Sequence, residues 1–313
     1  MIAERKGEYC MNKVYRRQRI EGTVVGGIIK NVNYHFSLFG VYEDGVVNCW
    51  HKNDLWQFEY ELKRQWVVPS VPVGKRLSIF KLGNFLIQDA VWLYNEKGYY
   101  NHIKDVVKSL NPEMQNLYHT TKREIKKWKK YHVSFAADFT PFRLKHGFGY
   151  NTIDGDKCHI FYRENDTLYL TMLSVYEDGM LQIGLQEEYY TWEEIETMFD
   201  ENILCVKPNE NEWVHIPDLG RVLFGKCASC VSKKEKKASV FEMRKNVMHE
   251  QTAHEKCIQA YYNYLEYPCD ETKATLKKAY EAVPEMERCY LGDMDTRDTD
   301  YVRILYTDQK REV

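Results

Sequence analysis

The apolar positions of this chain fall into two collinear sets with one shared pattern. His35-Phe36-Ser37-Leu38-Phe39 and Leu170-Thr171-Met172-Leu173 are each rich in β-favouring residues. Each runs into the same pentapeptide, Val-Tyr-Glu-Asp-Gly, at 41–45 and again at 175–179. Asp-Gly provides the positive φ that a tight turn needs, so each stretch predicts a strand, a turn and a second strand. The second strands are Val46–Trp50 and Met180–Ile183. A short helix follows in both places. Asp54 with Gln57, and Thr191 with Glu194, have the spacing of a capping box. Leu55, Phe58 and Leu62, and likewise Trp192, Ile195 and Phe199, recur at helical spacing. Two further strands close each set, near Trp66–Val68 and Leu77–Phe80 and near Ile203–Val206 and Trp213–Ile216.

The two sets align at an offset of 134 before the helix and 137 from the helix onward, so one three-residue insertion reconciles them. Leu77-Ser78-Ile79 then lies over Val214-His215-Ile216, and Leu82-Gly83-Asn84 over Leu219-Gly220-Arg221. The repeated Leu-Gly reads as close backbone packing. A pattern shared over about fifty positions predicts a duplicated domain. Each copy is a β-β-α-β-β module, a small α+β sheet or part-open barrel.

Between the copies, Ile103, Val106, Val107 and Leu110 mark one buried helical face. Asn111-Pro112 predicts a restart, with Met114, Leu117, Thr121, Ile125 and Trp128 along a second helix. Beyond the second copy, Ala238–Tyr267 reads as a single helix ended by Pro268, and Asp270 caps another. Tyr301–Tyr306 reads as a strand, with Asp300 as an alternative helix cap. The fold class expected is therefore α+β: tandem duplicated β-rich modules, a helical connector and a mainly helical C-terminal domain. The expected divisions are a leader at 1–19, modules at 20–95 and 134–226, a connector at 96–133 and the C-terminal domain at 227–313. Met11 is an alternative start.

Charge narrows this picture. With 44 basic and 46 acidic residues, the net charge of −2 gives no global attraction to nucleic acid or an anionic membrane. No apolar run is long enough for a transmembrane helix, and the first residues lack the apolar segment of a signal peptide. The nine cysteines, odd in number and without a framework, read as reduced thiols in a cytoplasm.

Three local constellations carry possible chemistry. Cys227-x-x-Cys230 with His254-x-x-Cys257 supplies the ligand types and count of a structural zinc site, the one cofactor suggested. The competing reading is core and turn residues. Lys122, Arg123, Lys126, Lys127, Lys129 and Lys130 form two adjacent basic rows on the second connector helix, suited to phosphate contacts or simply to solvation. Asp293, Asp295, Asp298 and Asp300 cluster oxygen ligands for a hard cation, although without EF-hand spacing. His249 and His254 are five apart, about 140° around a helix, and so are not a metalloprotease pair. The paired Glu43-Asp44 and Glu177-Asp178 are explained by turn chemistry.

No phosphate-binding glycine loop, dinucleotide fingerprint or nucleophile elbow occurs. These features therefore fit an intracellular binding or interaction protein, with a protein partner and no membrane, better than an enzyme. The alternatives are a nucleic-acid-associated protein using the basic connector, or a metal-dependent hydrolase using the acidic cluster.

Overall fold

The computed structural model describes residues 20, 22–123, 126, 143–144, 152–184, 186, 188–292 and 297–307. They divide into two compact units. The first takes in the described residues of 1–29, 37–69 and 94–137, and the second those of 30–36, 70–93 and 138–313.

Unit one is built from most of β1 (Gly22–Asn31) and β2 (Asn33–Tyr42), then β3 (Val47–Asn48), β4 (Lys52–Asn53), α1 (Leu55–Lys63), β5 (Val67–Val68) and α2 (Glu96–Leu110). The chain turns at Asp44-Gly45, where Gly45 has φ +78°. β3 then pairs back on β2 with Val41 opposite Val47. Phe39, Phe58, Leu62, Tyr99, Ile103 and Val107 are buried together, so both helices present their periodic face inward. Phe39 and Phe58 meet edge to face at 6.3 Å, and the Tyr99 hydroxyl donates to the Gly26 carbonyl at 2.7 Å.

Both predicted capping boxes are present. Asp54 does more than cap. One carboxylate oxygen accepts from the Gln57 amide at 2.8 Å, and the other accepts from the Thr120 amide at 2.8 Å. This second bond bears on a correction: residues 111–121 are not helical, so the second connector helix does not start at Pro112. The segment instead spends its backbone groups on tertiary partners. The Tyr118 amide donates to the Asp44 carbonyl, and the Asn111 side chain donates to that of Glu43. Asp54→Ala is expected to cost about 2 kcal/mol, against about 1 kcal/mol for Thr191→Ala, whose hydroxyl serves only its own helix. Urea unfolding of the two variants checks this. Equal losses would show that the Thr120 bond contributes nothing.

Unit two contains the end of the first copy, β6 (Arg76–Ile79) and β7 (Gly83–Trp92). A short hairpin follows, β8 (Arg143–Leu144) with β9 (Thr152–Ile153). The second copy comprises β10 (Gly155–Glu164), β11 (Thr167–Tyr176), β12 (Leu181–Ile183), α3 (Trp192–Asp200), β13 (Leu204–Cys205), β14 (Trp213–Ile216), β15 (Gly220–Ala228) and α4 (Lys233–Val247). Then come α5 (Ala253–Glu266), α6 (Asp270–Ala282), a 3-10 turn at Glu285–Tyr290 and α7 (Thr299–Tyr306).

The strands of unit two run in the order β13-β10-β11-β14-β15-β7-β6. One face carries Phe36, Phe85, Phe161 and Phe224, with Phe85 4.9 Å from Phe224 and 5.6 Å from Phe161. On the other face Cys158, Ile160, Leu173 and Val175 are covered by Ile195 and Phe199 of α3 and Val240 of α4. The last helices form a core of their own around Cys257, Leu276, Tyr280 and Tyr301.

Strand register reproduces the sequence alignment. Tyr34 pairs with Leu77 across the parallel β2–β6 ladder, and Leu168 with Val214 across β11–β14. These are the positions that the 134 and 137 offsets make equivalent. The structure also adds what the pattern did not show. Each copy opens on a long strand, β1 or β10, that the shared pattern did not include. Gly26-Gly27 in β1 and the charges of β10 hide their β character. Each copy also closes on a helix, since α4 follows α2 by 137 residues at the same length.

β7 and β15 pair antiparallel with a symmetric register. Asn84 opposite Ala228 is matched by Val91 opposite Arg221, and Ile87 opposite Phe224 is its own counterpart under the 137 offset. The two closing strands are thus related by a local two-fold axis at Ile87–Phe224, the isologous geometry of a symmetric dimer.

Two further expectations are corrected. The single helix expected at 238–267 is two helices, because His249 adopts φ +58°. The Glu250 amide donates back to the Lys245 carbonyl and that of His249 to Asn246, a Schellman ending. Thr252 and Glu255 then box the next helix. The segment at Tyr301–Tyr306 is helix, not strand, and buries Tyr301 and Leu305.

Candidate functional site

One hollow on the second copy has a volume of about 650 Å³. Its floor is one cross-strand row. Tyr162 on β10 lies opposite Tyr169 on β11, which pairs with His215 on β14. His215 lies opposite Arg221 on β15, and Arg221 opposite Val91 on β7. Side chains alternate faces along a strand, so Tyr162, Tyr169 and Thr171 continue the face whose other end α3 and α4 cover. The hollow is where that face stays open. Gly184, Gln186, Pro217 and Asp218 form part of its wall, and Leu93 and Glu164 stand at its border.

Its chemistry is mixed but ordered. The Tyr169 and His215 rings are 5.3 Å apart. The Arg221 guanidinium lies 5.1 Å from the centre of the Trp213 ring while Arg221 stays exposed. Gln186 Oε1 is buried without a hydrogen-bond partner among the described residues. Val91 and Leu93, 48% and 61% exposed, add uncovered apolar surface. The first copy has His35, Ser78 and Asn84 in the equivalent row, so the second ring and the cation belong to the second copy.

Sequence reasoning passed over these residues. The signal was in the aligned repeat itself: where apolar positions agree, Ser78 faces His215 and Asn84 faces Arg221. Outward-pointing positions that diverge inside a preserved frame are where a second copy acquires a site of its own.

The residues singled out from sequence are placed as follows. Cys227 and Cys230 are joined to each other by a disulfide, contrary to the expectation of reduced thiols throughout. Six other cysteines among the described residues are free. Cys257 is fully buried in the C-terminal core, where burial pushes its thiol up to about 11 and away from the thiolate that zinc requires. His254 Nε2 lies 3.1 Å from the Tyr290 carbonyl oxygen. Among the described residues no three His, Cys, Asp or Glu side chains are grouped to hold a metal ion, so the structure does not bring the four together.

Asp298 accepts from the Tyr280 hydroxyl at 2.6 Å, and Asp300 pairs with Arg303 at 2.6 Å. Asp293 and Asp295 lie outside the described residues. Lys122, Arg123 and Lys126 are helical and exposed. Lys127, Lys129 and Lys130 lie outside the described residues. No described helix is long and apolar enough to cross a membrane.

Comparison with known proteins agrees with the duplication. Residues 10–114 and 143–251 match the family described as "Domain of unknown function (DUF7638)". The two stretches end 137 residues apart, as α2 and α4 do. Residues 252–313 match a second family, "Domain of unknown function (DUF7639)". No curated protein and no solved structure matches the chain. Two matched copies that together span more than half of its length place this protein in the DUF7638 family.

Proposed function

We propose that this protein is a binding protein made of two copies of one α+β module, each closed by a helix, with a helical C-terminal part. Its principal site is the open sheet face of the second copy. The observation that carries this reading is the row Tyr162–Tyr169–His215–Arg221 on the floor of a hollow of about 650 Å³. That volume lies within the roughly 300–1,000 Å³ typical of ligand sites, which combine apolar walls with a few convergent polar groups. Duplication supports the same reading. One copy can keep the framework while the other changes its outward residues without loss of the core.

The test is ligand-observed NMR with a mixed fragment library, run on the wild type and on Arg221→Ala and Tyr169→Ala. Fragments are expected to bind the wild type and to weaken by about tenfold in each variant, a change of about 1.4 kcal/mol. Hits that ignore both substitutions would place binding elsewhere and sink the reading.

A protein partner on the same face, and a cytoplasmic setting, are the accompanying proposals. The exposed Lys122, Arg123 and Lys126 favour a second reading, in which the connector adds an electrostatic contact to a polyanion.

A further inference from the structure

The occupant that fits this hollow can be named by its chemistry. Resting on the binding reading above, we infer that the second copy's sheet face takes a nucleobase together with its phosphate. The source is either a free nucleotide or a single-stranded nucleic acid.

Three independent features converge on that class. The first is the row of rings. Neighbouring strands lie about 4.8 Å apart, so Tyr162, Tyr169 and His215 line the hollow at successive steps across the sheet, with Tyr162 half-buried against the core at one end and His215 exposed. Aromatic side chains on an open sheet stack bases, at about 1–3 kcal/mol for each base, and tolerate any base because every base has a π face.

The second feature is Arg221. It follows His215 in the row, is exposed, and lies against Trp213 at 5.1 Å. An exposed guanidinium beside an aromatic ring can offer its donor fork to a phosphate in the bidentate geometry that lysine lacks. The third feature is Gln186, a residue lining the hollow, whose Oε1 is buried and without a partner among the described residues. A buried acceptor left unpaired costs about 1–3 kcal/mol, so it calls for a donor from the occupant. A carboxamide both accepts and donates, as does the edge of a base.

The carboxylates set polarity. Glu164 is on β10, three strands from Arg221, so a phosphate is repelled at that end and drawn to the Arg221 end. Glu164 is then free to accept from sugar hydroxyls. Asp218 follows the wall residue Pro217. The first copy has Ser78 and Asn84 in place of His215 and Arg221 and offers neither the ring nor the cation.

The experiment is calorimetric titration of the full chain with AMP, GMP, CMP and UMP, and separately with a single-stranded ten-nucleotide oligomer of mixed sequence. Arg221→Ala and His215→Ala replace exposed side chains and leave the core untouched, and their melting temperatures are measured as a folding control. At least one probe is expected to bind, and each substitution to weaken it by roughly tenfold. A mononucleotide that binds as tightly as the oligomer identifies a free nucleotide. An oligomer that binds much more tightly, with affinity falling steeply as salt is raised, identifies a single strand.

Two results overturn the inference: no binding by any probe up to about 5 mM, near the weakest affinity worth calling a site, or binding that both variants leave unchanged. Fragments that occupy the hollow while nucleotides do not would leave the binding reading standing and remove this one alone.

Discussion

Gly220→Ala is expected to lose about 3–4 kcal/mol of stability, a large share of what a domain has to spare. Gly220 opens β15 with φ +130°, a conformation that side chains rarely adopt. A Cβ there would overlap the Val91 carbonyl oxygen and press on Trp92 Cα, both on the paired strand β7. Backbone atoms held in a ladder cannot turn aside as a side-chain tip can. The equivalent Gly83, at φ +151°, would meet the Cys227 sulfur first, at 2.7 Å, so Gly83→Ala is expected to cost less. Gly74 is the control. Its φ is +82° but nothing lies within 4 Å, so Gly74→Ala carries only the left-handed penalty, about 1–2 kcal/mol. Urea unfolding followed by tryptophan fluorescence ranks the three. A Gly220→Ala loss no larger than that of Gly74→Ala would show that the β7–β15 seam yields, and that close approach is not why Leu-Gly is repeated.

Stability should also fall by about 2–3 kcal/mol between pH 7 and pH 4, through His159. Burial first, then the charges of Lys236 and Lys157, push this imidazole down to about 4. Its ring packs edge to face on Phe36 at 5.3 Å, and Nε2 is buried with no hydrogen-bond partner among the described residues. The unfolded chain takes up a proton at the ordinary histidine pKa near 6.5, but the folded chain does not until about 4. Between these values the unfolded state binds more protons. The stabilisation is therefore complete above about 6.5 and is lost as pH falls through 4.

A buried neighbour adds to the effect of burial. Lys236 is fully buried, and its ammonium group donates to the Lys81 carbonyl at 3.4 Å. It occupies the place that Tyr99 holds in the first copy, 137 residues earlier. Lys236→Met removes the charge while keeping much of the length. It is expected to raise stability, as apolar replacement of buried charge often does, and to make the acid loss smaller, because the folded pKa of His159 rises toward that of the unfolded chain. Unfolding curves across pH 4–7 for the wild type, His159→Gln and Lys236→Met test both statements. A wild-type slope that His159→Gln retains would assign the pH dependence to other groups.

Much of the fold was legible because its signals are local or repeat. Cap residues act within three positions, so Asp54-Gln57 and Thr191-Glu194 located both helix starts. The doubled pentapeptide and Leu-Gly pair set the alignment that strand register later reproduced. Where the reading failed, distant partners outweighed local preference. The apolar stripe after Pro112 predicts a helix, yet the amides of Tyr118 and Thr120 are taken by Asp44 and Asp54, more than sixty residues earlier. The helix expected across 248–252 yields to the bonds of its own ending at His249. Cys227, Cys230, His254 and Cys257 share a spacing but not a place, since two bond to each other and one is sealed in a helical core.

What the sequence by itself determined is the duplication, the order of the central elements in each copy and the composition of their buried faces. Those follow from periodicity and capping, which operate over a few residues and leave their mark in the chain. Only the tertiary structure decided that β7 and β15 meet about a two-fold axis, and that Tyr162, Tyr169, His215 and Arg221 stand in one row. These residues come from four strands spread over some sixty positions, and cross-strand pairing is set by backbone hydrogen bonds that every residue type can make. A site of that kind exists only once the ladder is closed.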